Sequence, residues 1–79
     1  MLEDVIYEAI AGHVSCHHLD VTGDGRHFEA LVVSDDFINH NRLQRHRLIY
    51  KALGDKMVDE VHALSMKLYT TSEWEQLNG

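Results

Sequence analysis

The sequence predicts an α+β fold in which a three-stranded mixed sheet is covered by helices on one face. Three observations point there. Apolar residues recur at helical spacing near the start, the pattern switches to alternation on both sides of an Asp-Gly turn, and a second helical stretch leads into a third alternating run. The element order read this way is αββααβα.

Leu2, Val5, Ile6, Ala9 and Ile10 define the first helix, with Gly12 as its expected terminator. From Cys16 the residues alternate, His17, Leu19 and Val21 on one face and His18, Asp20 and Thr22 on the other. Thr22-Gly23-Asp24-Gly25-Arg26 reads as a hairpin turn, because Asp-Gly accepts positive φ. The return strand, His27 to Ser34, sets Phe28, Ala30 and Val32 against Glu29, Leu31 and Val33. Both of its faces are fairly apolar, which suits the centre of a sheet.

Asp35 to Asn41 connects to a second long helix marked by Leu43, Leu48, Ile49, Ala52 and Leu53 and closed by Gly54. A short helical turn is expected over 55–60. His62, Leu64, Met66 and Leu68 then alternate with Ala63, Ser65, Lys67 and Tyr69 as a third strand, and Thr70 with Glu73 forms a capping box for a last helix containing Trp74 and Leu77. A hairpin followed by a helical crossover makes the first two strands antiparallel and the third parallel to the second.

Seventy-nine residues suffice for one domain, read here as 1–79. A formal charge of -6 argues against bulk electrostatic capture of nucleic acid and against an anionic membrane surface. The seven histidines add charge on mild acidification and shrink the negative excess, so pH-dependent association is expected below neutrality. One cysteine cannot form an internal disulfide, the first residues are acidic where a secretory signal is basic, and no apolar run approaches membrane length. The expectation is a soluble, cytoplasmic protein.

Against the acidic background, no acid occurs between Asp36 and Asp55, where Arg42, Arg45, His46, Arg47 and Lys51 cluster on the second helix. Stepping 100° per residue places Gln44, Arg47 and Lys51 on a polar face able to meet phosphates. Arg42, Arg45 and His46 share the arc of Ile49, Ala52 and Leu53, so some of them must snorkel, stack or bond to backbone atoms. Arg42, Arg45, Arg47, Lys51 and Lys67 are the candidate nucleic-acid or partner surface. Three or four phosphate contacts make a weak site for duplex DNA unless the chain forms a weak homodimer or reads bases as well. The Gly-x-x-Gly tetrad of single-stranded RNA recognition is missing.

His62, at the mouth of the third strand, either bonds a neighbouring backbone group or serves as a metal ligand. His27 enters the second strand and approaches His62 if those strands are adjacent and parallel. Asp24 ranks third, since a hard oxygen donor suits turn geometry better than a site for a softer metal. Cys16 and His18 share a strand side but do not close a zinc site by themselves. No nucleophile elbow, triad setting or phosphate loop is present, and catalysis is not expected.

Three ordered runs carry a family resemblance: Val21-Thr22-Gly23-Asp24-Gly25-Arg26-His27-Phe28-Glu29-Ala30, Leu43-Gln44-Arg45-His46-Arg47-Leu48-Ile49-Tyr50 and Val61-His62-Ala63-Leu64-Ser65. With the Thr-x-x-Glu-Trp ending at Thr70 to Trp74, the chain resembles the short bacterial form of the BolA family. That resemblance implies a type II KH-like domain that partners a monothiol glutaredoxin. It also implies a shared [2Fe-2S] cluster, with His62 as a ligand beside the glutaredoxin cysteine and glutathione, the chain being apo when alone. In some members it implies transcriptional regulation through DNA. Two departures stand out: Phe37-Ile38-Asn39 where the family usually has a glycine, and Thr70-Thr71 where it usually has Thr-Pro. Asn tolerates left-handed geometry and Thr71 fits a first helical turn, so the fold is expected to survive both.

Overall fold

The computed structural model describes residues 1–57, 59 and 61–79, the side chain of Val61 excepted. Helix α1, Leu2–His13, turns Ile6, Ala9 and Ile10 inward, as their spacing requires. It runs through Gly12 and stops where Val14 becomes extended and buries its own side chain. Strand β1 is His18–Gly23 and β2 is Phe28–Val33. They pair antiparallel with Gly23 opposite Phe28. Gly23 is required there, because a Cβ would lie 2.5 Å from the Phe28 ring.

Ser34 leads into one turn of 3-10 helix, Asp35–Phe37, which drops Phe37 into the core. Asn39 follows with φ 65°, the left-handed conformation that the Phe37-Ile38-Asn39 departure needed. Helix α2, Arg42–Leu53, starts at a capping box between Asn41 and Gln44 and ends at Gly54, whose φ of 59° and ψ of -127° suit a residue without Cβ. The helical turn expected over 55–60 falls on turn residues, with 58 and 60 outside the described residues. A 3-10 turn follows at Val61–Ala63. Strand β3, Leu64–Tyr69, precedes helix α3, Thr71–Asn78, which opens on the Thr70 and Glu73 capping box.

The strand order is β1-β2-β3, with β3 parallel to β2 and Phe28 opposite Leu64. This is the mixed sheet expected, with β2 at its centre. Phe28, Ala30 and Val32 face α1 and α2, and the core closes around Ile6, Ile10, Phe37, Ile49 and Leu53. Each of these large side chains contributes about 1.5–3 kcal/mol by leaving water. The opposite sheet face is mostly open, except at one end. There Trp74 of α3 stacks on His18 at 5.5 Å and tilts against Tyr69 at 6.0 Å, the residues that flank Val33 in the ladder. Val33 is fully buried as a result.

Candidate functional site

At the end of the sheet where β2 and β3 begin, Asp24, His27 and His62 stand in the open. The hairpin loop is held by Asp24, whose Oδ1 accepts the N–H groups of His27 at 2.8 Å and Arg26 at 2.9 Å. Those two backbone donors, His27 first, hold the Asp24 carboxyl below the usual carboxylate range. The turn fixes the backbone of His27 while leaving its side chain 79% exposed, with Nδ1 3.9 Å from Asp24 Oδ2.

His62 is exposed in the 3-10 turn two residues before β3. His27 lies one residue before β2, and Phe28 pairs with Leu64 in a parallel register, so both imidazoles occupy the same end of neighbouring strands. The condition set for their approach, adjacent and parallel strands, is met. A shallow depression beside them is lined by Gly23, Asp24, His27 and Ser65, with His62 outside it. Among the described residues no group of three or more His, Cys, Asp or Glu side chains is placed to hold a metal ion. The described residues at this end therefore offer two exposed nitrogen donors and a carboxylate already used by its turn. Imidazole nitrogens are chemically able to ligate one iron of a [2Fe-2S] cluster, so the donor types present fit such a group.

The expected basic surface divides. Arg42, Arg47 and Lys51 are exposed on α2 and make no ion pair among the described residues. Arg45 does not belong with them. Its side chain is only 15% exposed, and its guanidinium donates to both Glu73 carboxylate oxygens at 2.7 and 3.3 Å. It also donates to the carbonyls of His40 at 2.9 Å and Leu68 at 3.3 Å, and lies over the Phe37 ring. This resolves the conflict in the helical projection: a cation in the apolar arc is satisfied by joining α2, β3 and α3. The Arg45 guanidinium, followed by the Thr70 N–H, pulls the Glu73 carboxyl below its usual range. Lys67 is also separate from the α2 cluster. It projects from the open sheet face, 3.3 Å from Glu29, whereas its neighbours Met66 and Leu68 pack toward the helices.

Glu73 was missed as Arg45's partner, although its place as the third residue of α3 was legible and pins its carboxylate at the sheet end. Cys16 and His18 form no joint site. The Cys16 thiol donates to the Val14 carbonyl at 3.4 Å and is pushed up in pKa by burial and then by Asp36, while His18 stacks on Trp74.

Comparison with known proteins adds a lineage. A family model described as BolA-like protein matches residues 6–73. The chain is 33% identical to the DNA-binding transcriptional regulator BolA of Vibrio cholerae, over 99% of this chain and 83% of that protein. It is 31% identical to the acid stress protein IbaG of Escherichia coli, over 100% of this chain and 99% of that one. A crystal structure of a Bol-like protein from Babesia bovis superposes with a TM-score of 0.84 at 32% identity, covering 98% of this chain and 93% of that one. Among the described residues no helix is long and apolar enough to cross a membrane.

Proposed function

The chain belongs to the BolA-like family, and from that premise we propose that it is an adaptor that docks on a monothiol glutaredoxin and shares or passes on a [2Fe-2S] cluster. One observation carries the reading: two exposed imidazoles, His27 and His62, stand at the same end of adjacent parallel strands, with too few protein donors among the described residues to close a site. An incomplete donor set suits a cluster held between molecules. His62 supplies one ligand and His27 the second, each as a neutral imidazole, while the glutaredoxin cysteine and glutathione supply the others. Asp24 holds the loop and orients His27 instead of ligating. The task is carriage within iron and stress homeostasis, in a reducing compartment such as the cytoplasm, and it involves no catalysis.

The test is an anaerobic titration of [2Fe-2S]-loaded monothiol glutaredoxin followed by visible circular dichroism. A new spectrum that saturates with wild type and is absent with His62→Ala supports the shared site. An unchanged glutaredoxin spectrum with wild type sinks it.

A second reading is favoured by the name of the Vibrio relative, a DNA-binding transcriptional regulator. Arg42, Arg47 and Lys51 are exposed on one helix in an acid-free segment. Each phosphate they neutralise adds about 0.9 to the salt slope of DNA affinity. Loss of duplex binding in Arg47→Glu with Lys51→Glu, and its retention in His62→Ala, would assign DNA binding to α2. The reverse pattern would remove α2 from it.

A further inference from the structure

Strand β3 forms an edge of the sheet, and its outer side faces a groove. The groove holds about 700 Å³ between β3, the first half of α2, and α3. Four consecutive residues, Met66 to Tyr69, line it. Side chains on a strand alternate between faces, and the Lys67 amine is paired with Glu29 on the far face, so the feature these four share is the main-chain edge itself.

The direction of that edge follows from the ladder. In a parallel pair each residue turns both N–H and C=O to the same side. The Tyr69 carbonyl accepts the Ser34 N–H at 2.9 Å, so Tyr69, Lys67 and Ser65 point toward β2. Leu68, Met66 and Leu64 point outward. The Leu68 carbonyl is taken by Arg45. Among the described residues no backbone bond outside the ladders reaches Met66 or the Leu68 N–H. Edge groups of this kind template another strand unless they are covered.

The walls define what would pair there. Leu68 and Met66 are half-buried, and Leu77 of α3 stands 63% exposed, giving apolar footing. Arg45 and Glu73 neutralise one another, which leaves Arg42, unpaired among the described residues, as the remaining charge on this wall, with His40 and His46 beside it. On a chain of net charge -6, this strip is locally cationic. We infer that the outer edge of β3 is a docking site for an extended, acidic segment of a partner protein, which adds to the sheet as a fourth strand. Its main chain would bond Met66 and the Leu68 N–H, its apolar side chains would rest on Leu77 and Leu68, and its carboxylates would face Arg42. This surface involves neither His27 nor His62, so the inference stands or falls apart from the cluster reading.

The probe is a seven-residue peptide of alternating glutamate and valine, blocked at both ends and titrated into the ¹⁵N-labelled protein. Amide shifts should centre on Met66 and Leu68, with neighbours on α2 and α3, and the Leu68 amide should gain protection from exchange. Arg42→Glu and, separately, Leu77→Glu should each weaken binding about five-fold or more. Both residues are exposed, so the fold should persist, which the remaining amides report. A peptide N-methylated at alternate positions, or one with lysine in place of glutamate, should not bind. No shift at millimolar peptide, shifts centred elsewhere, or equal binding by the lysine peptide would overturn the inference. Concentration-dependent shifts of Met66 and Leu68 without peptide would also overturn it, by assigning the edge to a second copy of the chain.

Discussion

The two ends of the sheet use the same kinds of side chain for opposite purposes. Where β3 ends, polar groups converge: buried Ser34 donates to the Ser15 carbonyl at 2.6 Å and accepts the Asp36 N–H at 3.0 Å, and Asp36 accepts the Ser15 N–H. Arg45 and Glu73 join α2 to α3, and Asp35 receives the Thr71 N–H. Where β2 and β3 begin, Asp24 and the two histidines remain in solvent, and among the described residues the side-chain hydrogen bonds stay within one loop. The difference teaches that residue type does not set the role of an arginine or an aspartate in so small a fold. Convergence of partners from distant elements makes a structural group, and its lack leaves one available for a ligand.

The comparison breaks most readily at Arg45. Replacing it by alanine strands two carbonyls and the Glu73 carboxylate, and should cost about 2–3 kcal/mol and lower the melting temperature by about 10 °C or more. Arg47→Ala on the same helix should stay within about 0.5 kcal/mol. Equal costs in urea unfolding would erase the distinction between the ends. Next is Ser34→Ala, which removes a buried donor and acceptor and should cost about 1–2 kcal/mol, again by urea unfolding.

A smaller effect is expected in the acid limb of stability. The Glu73 carboxyl has a lowered folded pKa, so its contribution is present above its unfolded pKa and is lost as pH falls through the folded value. Glu73→Gln should flatten that limb of the unfolding curve. Asp24 has the same sign, but as a largely exposed group it should leave a weaker trace when changed to asparagine. The smallest effect on stability belongs to His62→Ala, within about 0.5 kcal/mol by thermal unfolding, while the new circular dichroism spectrum with loaded glutaredoxin fails to form. Loss of both together would make His62 a structural residue.

Much of the fold was legible because its signals are local. The Thr70 and Glu73 capping box, the left-handed Asn39, the closing Gly54 and the two-sided apolar β2 each announce themselves within a few residues. The Asn41 and Gln44 box carried the same signature and went unread. What escaped depends on distance along the chain. Periodicity put Arg45 in an apolar arc but could not name a partner 28 residues away. It placed Lys67 among the cations without showing that the sheet separates it from α2, and it did not show Trp74 closing the far face. For the candidate ligands, strand order was the deciding information: the parallel β2 and β3 pair brings His27 and His62 to one end.

Trp74 is the chain's one tryptophan, and the aromatic side chains of His18 and Tyr69 hold it at the converged end. Its emission is therefore an internal gauge of whether α3 is seated. Because the cluster ligands would sit at the other end, one sample can report twice: ultraviolet fluorescence follows the integrity of the closed end while visible absorption follows loading of the open one.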